Sequence, residues 1–165
     1  LEAIDPAVRV FVNLHPADLE DPQLLDGGGF GRWADRIVCE IAEPVSIPQL
    51  SELVGGAKRL RAAGVDLAVD DLGAGYGSLS IVSLIEPAII KIDRGVMSGI
   101  ERSETKREIV RNINAFARSK DIAVVATGIE SEGQARLARE LGCDYVQGYY
   151  FGRPAPLSEQ KSAES

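Results

Sequence analysis

Short apolar runs alternate with helix-length segments along the whole chain. Residues 8–14, 36–41, 65–69, 88–92, 123–126 and 145–146 are brief, rich in Val and Ile, and bounded by polar or glycine-containing stretches, which predicts six buried strands. Residues 17–25, 48–63, 79–84, 104–119 and 131–141 fall between them. The longer of these segments place apolar residues at helical spacing behind Ser, Thr or Pro start signals, which predicts helices, the third of them short. Regular alternation of this kind implies parallel strands joined by crossover helices. The fold class is therefore α/β, as a doubly wound sheet or a TIM-type barrel. Gly27–Gly29 and the Gly55–Gly56 pair are expected to be flexible points, and the Ser- and Glu-rich residues 157–165 a loose tail.

Polar residues recur where the predicted strands end: Asn13, Glu40, Asp70 with Asp71, Lys91, Thr127 with Glu130, and Gln147. A single such residue after a strand usually makes a turn or caps the next helix. Recurrence on six strands points instead to one functional rim, because in α/β barrels the C-terminal strand ends converge on one face. Asp70 and Asp71 are neighbours, and two adjacent carboxylates repel unless a cation neutralises them. Carboxylates with the Asn13 amide form an oxygen-only ligand set, which suits Mg²⁺ or Mn²⁺ better than zinc. The only histidine, His15, cannot build a nitrogen-rich site and is assigned to a loop. The Gly73–Gly77 stretch invites comparison with a dinucleotide-binding turn, yet the acids directly before it would repel a pyrophosphate. Lys91 interrupts an apolar strand, where an ammonium is costly without a carboxylate nearby. It either pairs with Asp70 or Asp71, or holds a water or phosphate oxygen.

Composition narrows the classes further. The 165 residues carry a formal charge of −7 and no dense basic run, which argues against a surface that neutralises nucleic-acid phosphates. Cys39 and Cys143 lie far apart and suggest buried thiols rather than a disulfide framework or zinc cluster. No apolar run approaches a membrane span, and the first residues lack a secretory pattern. The chain starts without Met, so a longer parent protein is expected.

These residues bring a family into view. The segments Phe11-Val12-Asn13-Leu14, Cys39-Glu40-Ile41-Ala42-Glu43, Asp70 to Tyr76, Lys91-Ile92-Asp93, Gly128-Ile129-Glu130 and Asp144 to Tyr150, in this order, resemble those of EAL domains. EAL domains hydrolyse the bacterial second messenger cyclic di-GMP to the linear dinucleotide pGpG. The resemblance covers nearly the whole chain and implies a TIM-type (β/α) barrel. It implies Asn13, Glu40, Asp70 and Asp71 as metal ligands, for Mg²⁺ or Mn²⁺. Lys91 would help position the attacking water, Gln147 would lie close to that water or the substrate, and Glu130 would be the second acid of the family's Ala-Glu-Gly-Val-Glu motif. Glu43 corresponds to the glutamate that anchors the loop after Asp71. It also implies cyclic di-GMP as ligand, a possible homodimer, an upstream sensor or GGDEF-type module, and a cytoplasmic location.

Departures from the family pattern shape the functional expectation. Thr127 stands where the motif has its first glutamate, and a hydroxyl cannot replace a carboxylate acting as base or ligand. Leu72, Ala74 and Gly77 replace the family's usual Phe, Thr and Ser, which weakens the loop after Asp71 and dimerisation through it. The strand carrying the Glu-Ala-Leu motif and the strand before it would lie upstream of Leu1. Residues 1–156 are then an EAL domain with about six of eight strands, and two open edges make it unstable alone. A catalytically impaired chain acting in ligand binding or regulation is favoured over an active phosphodiesterase completed by its upstream segment. A TIM-type barrel with unrelated metal chemistry is the remote alternative.

Overall fold

The strands form where the chain can bury both faces. In the computed structural model, which describes residues 4–15, 18–19, 30–41, 47–73 and 78–156, six strands appear: β1 (Val10–Leu14), β2 (Ile37–Ile41), β3 (Asp66–Leu72), β4 (Ile89–Ile92), β5 (Ala123–Ala126) and β6 (Tyr145–Val146). They pair in parallel in sequence order. All five residues of β2 are buried, which explains why a parallel strand covered on both sides reads as an unbroken apolar run. Helices α1 (Ile47–Ala62), α2 (Ser78–Ile85), α3 (Arg94–Met97), α4 (Glu104–Arg118) and α5 (Glu132–Glu140) supply the crossovers. This is the strand and helix order of a TIM-type barrel, with β1 and β6 as the edges of an unclosed sheet.

Alternation along each strand divides the side chains between two faces. Ile37, Cys39, Ile41, Leu67, Val69, Ile90, Ile92 and Val124 point outward and pack with Leu53, Leu60, Ile85, Met97 and Val110 from the helices in one large core. Val38, Ala68, Ile89 and Val125 form a small second cluster on the inner face.

Helix starts follow local chemistry. The Ser103 hydroxyl accepts from the Lys106 N–H, and the Ser131 hydroxyl accepts from the Gln134 N–H, with Glu104 and Glu132 in the first turns. Predicted and observed bounds of α4 and α5 therefore agree to one residue at each end.

The differences have physical causes. Gly55 and Gly56, expected to be a flexible point, lie inside α1. A Cβ on Gly56 would come within 2.6 Å of the Leu19 Cβ, so that glycine serves close packing. The first strand begins at Val10 because Val8 closes a turn, its N–H donating to the Asp5 carbonyl. Arg36, expected at a strand start, ends a 3-10 turn, Gly31–Arg36, and donates to the carbonyls of Ile4, Asp5 and Val8 beneath β1. The short α3 and the 3-10 turns carry no periodic signal long enough to read. Most of the expected helix at 17–25, Gly27–Gly29, Glu43 and the tail at 157–165 lie outside the described residues. No helix among the described residues is long and apolar enough to cross a membrane.

Candidate active site

β3 continues past Val69 and carries both aspartates within it. Between Val69 and Leu72 it spends three steps where β4 spends two, from Ile90 to Ile92, so it holds one extra residue. Asp71 adopts the left-handed conformation there, with φ of 55°. The bulge resets the alternation: Asp70 faces inward, while Leu72 returns to the outer core at 2 % exposure. Leucine at that position is thus fully packed. Asp70 is further held by its own turn, its Oδ1 accepting from the Asp71 N–H at 2.9 Å.

The inner face then reads as apolar below and polar above. Phe11, Val38, Ala68, Ile89 and Val125 share it with Asn13, Glu40, Asp70, Lys91 and Thr127 by strand parity. Asn13 is in register with Glu40, Glu40 with Ala68, and Ala68 with Ile89. Lys91 therefore starts one layer above Glu40 and level with Asp70, and its ammonium joins the two. Nζ lies 2.5 Å from Glu40 Oε1 and 3.2 Å from Asp70 Oδ2, with the Glu40 and Lys91 side chains each 8 % exposed. The Phe11 ring centroid lies 6.0 Å from the same ammonium. Of the pairings weighed for Lys91, Asp70 is present; the shorter bond, to Glu40, was not legible, because 51 residues separate the partners.

Asp71 is exposed, and its carboxyl is held above the usual range, first by partial burial and then by the charges of Asp70 and Asp93 against the opposing pull of Lys91. Glu40 and Asp70 flank the ammonium, and Asp71 feels the charges of both Asp70 and Asp93, so these strand ends carry an excess of negative charge. Together with Asn13, the donors are all oxygens, and this set fits a hard divalent cation in charge and chemistry. Among the described residues no three acids converge as a ready-made metal cluster, since Lys91 stands between Glu40 and Asp70.

The remaining candidates lie on the far strands. Thr127 is half-buried, and its Oγ1 donates to the Ile92 carbonyl at 2.8 Å, beside its own N–H donating to the same oxygen at 3.1 Å. The hydroxyl is tied to the backbone of β4. Glu130 is exposed after β5, and its N–H donates to the Oε1 of the buried Gln134, whose Nε2 donates to the Met97 carbonyl. Gln134 is a supporting residue that the strand-end pattern could not reveal, being in the first turn of α5. Gln147 is exposed, and its carbonyl accepts from the Ile129 N–H at 3.0 Å. A Cβ on Gly148 would collide with the Ile129 backbone, so only glycine lets the end of β6 lie against the loop after β5. The side chains of Asn13, Glu130 and Gln147 make no hydrogen bond to the Glu40–Lys91–Asp70 cluster. The thiols Cys39 and Cys143 are free and buried, and burial pushes Cys39 up to about 11.

Known proteins share the sequence pattern and the backbone fold. The family model described as EAL domain matches residues 1–154. An uncharacterised signalling protein of Caulobacter vibrioides is 35 % identical over 162 residues, covering 94 % of this chain and 20 % of that protein. The cyclic di-GMP phosphodiesterase NbdA of Pseudomonas aeruginosa is 36 % identical over 156 residues, covering 92 % of this chain and 20 % of NbdA. Among solved structures, Klebsiella pneumoniae BlrP1 in complex with calcium and cyclic di-GMP superposes with a TM-score of 0.78 at 31 % identity, over 89 % of this chain and 39 % of that one. The same protein is also known as a manganese and cyclic di-GMP complex. The chain spans about a fifth of the length of these two curated relatives. In sequence and in backbone geometry, the chain belongs to the EAL domain family.

Proposed function

We propose that this chain is a cyclic-di-GMP signalling domain of phosphodiesterase ancestry that binds or relays the nucleotide rather than hydrolysing it to pGpG at full rate. The observation that carries this reading is Thr127. It occupies the position of a motif glutamate, and its hydroxyl is spent on the Ile92 carbonyl. No carboxylate is offered there to take a proton or to hold an ion.

The other family rim positions that fall within this chain keep their residue types. Asn13, Glu40, Asp70 and Asp71 would hold Mg²⁺ or Mn²⁺, with Glu43 as anchor of the loop after Asp71. Such ions, when bound, supply Lewis-acid polarisation of a phosphoryl oxygen and a nucleophile from water at neutral pH. Lys91 is positioned between two of the acids to hold an anionic oxygen of the substrate, while Gln147 and Glu130 complete the rim from the last strands. Residues 1–156 act as one EAL domain lacking its first two strands, with 157–165 as a tail. The open sheet supports that division: Phe11 on β1 is 43 % exposed and Tyr145 on β6 is 62 % exposed, both on the inner face. Strands contributed from outside this chain would cover them and pair the two free edges. A sensor or GGDEF-type module in the parent, a homodimer through the region after Asp71, and a cytoplasmic setting belong to the same proposal.

A second reading, an active phosphodiesterase once the barrel is closed, is favoured by the intact Glu40–Lys91–Asp70 cluster. The two separate in one experiment: cyclic di-GMP binding and hydrolysis with Mg²⁺ or Mn²⁺, for the chain, for Thr127→Glu, and for a form extended upstream. Binding without turnover, with hydrolysis restored by Thr127→Glu in the extended form, is the expected result. Turnover by the unsubstituted extended form would establish the second reading, and full turnover by the chain itself would overturn the first.

A further inference from the structure

The end of the sheet opposite the polar rim holds a cavity that the proposed activity does not use. It lies between the C-terminal parts of α2 and α4 and has a volume of about 410 Å³. Small-molecule sites commonly measure roughly 300–1,000 Å³. Val82, Pro87, Phe116 and Ile122 form apolar walls, and the exposed Ser83, Glu86 and Lys120 complete the lining.

Charge around the cavity runs against the rest of the molecule. The carboxylate of Glu86 is bonded by Arg61 at 2.8 Å. That bond holds its pKa below the usual range, with further help from the charges of Arg61, Lys58 and Lys120. Arg61 is thus in contact with the carboxylate, and Lys58 and Lys120 lie near enough for their charges to act on it, in a chain whose formal charge is −7. The Lys120 ammonium makes no hydrogen bond or ion pair within 4.0 Å among the described residues, so its donors are available. Glu86 and Asp121, left-handed with φ of 47° and 57°, lie just past the ends of α2 and α4 and turn the chain into the two loops that flank the cavity.

We propose that this cavity is a second ligand site, for a small monoanion with an apolar body. The body would lie among Val82, Phe116 and Ile122, and the anionic head against Lys120. A neutral hydrophobe would leave the cation unused, and a polyanion would meet the Glu86 carboxylate. The ligand would bear on Pro87 and Ile122, just before β4 and β5, the two strands whose far ends carry Lys91 and Thr127. The site does not depend on whether the polar rim turns over cyclic di-GMP.

The test uses two probes, decanoate and the fluorescent aromatic sulfonate 1-anilinonaphthalene-8-sulfonate, titrated into the intact protein and into Lys120→Glu, Ser83→Trp and, as a remote surface control, Arg136→Glu. Melting temperatures confirm that each variant is folded; should Ser83→Trp fail to fold, Lys120→Glu decides alone. Saturable dye binding that decanoate displaces, about tenfold weaker in Lys120→Glu and Ser83→Trp and unchanged in Arg136→Glu, is expected. Decanol should displace the dye about tenfold less well than decanoate. Absence of saturable binding, equal binding in all variants, or equal competition by decanol and decanoate would each overturn the proposal. Equal binding in all variants would place the dye on exposed apolar surface such as the open inner face around Phe11 and Tyr145.

Discussion

The outer and inner faces of the same sheet are built to different degrees of completion. Outward, nearly every strand residue is buried against a helix, in a single cluster that runs from Leu14 to Cys143. Inward, four residues form a small cluster, and above them stand an ion triad with Glu40 and Lys91 buried and Asp70 half-buried, an exposed amide and exposed carboxylates. The outer face stabilises, because apolar burial requires no partner beyond this chain. The inner face carries chemistry, and its groups are costly to bury unless each finds a counter-charge or a ligand. The outer face is therefore covered from within the chain, while the inner face stays open around Phe11 and Tyr145.

Removing one member of the triad tests that division most severely. Lys91→Met leaves Glu40 buried without its counter-charge, and the loss of a buried pair by one partner costs about 3–5 kcal/mol. Denaturant unfolding should show that loss, and cyclic di-GMP binding should fall with it. If stability is unchanged, the triad is not held as the structure shows. Next, the two faces can be set against each other directly. Ile90→Ala, fully buried on the outer face, should cost about 2–5 kcal/mol. Phe11→Ala, on the inner face and 43 % exposed, should cost under about 1 kcal/mol in this chain and distinctly more in a form with a closed barrel. Equal costs in the isolated chain would mean that the inner face is covered after all.

Smaller effects sharpen the picture. Thr127→Val removes the hydroxyl that donates to the Ile92 carbonyl and should cost about 1 kcal/mol of stability with no change in nucleotide binding. A loss of binding would place that hydroxyl in the ligand site. The smallest effect belongs to the outer surface of α4, where Glu104 is fully exposed and held below the ordinary carboxylate range, first by its hydrogen bond from Arg111 and then by that from Arg107. A depressed acid contributes stability that is present above the unfolded pKa, near 4.5, and is lost as pH falls through the lower folded value. Glu104→Gln should flatten this acid limb slightly, and salt should do the same to the parent chain.

Order and type of elements were legible in the chain because they depend on local pattern. Runs of Val and Ile, Ser103 and Ser131 at helix starts, and polar residues at successive strand ends are short-range features. Together with the family motifs they announced a parallel α/β barrel and named Asn13, Glu40, Asp70, Asp71 and Lys91 as candidates. Packing decided the rest. That Gly56 serves the approach of Leu19, that Asp71 is the extra residue that turns Leu72 back into the core, and that Lys91 reaches Glu40 across a register shift are contacts between distant parts of the chain. A Thr at position 127 announced only a missing carboxylate; its bond to Ile92 required two strands to be aligned. Local preference is written into adjacent residues, whereas register and parity are set by burial summed over the whole sheet, and no stretch of sequence contains that sum.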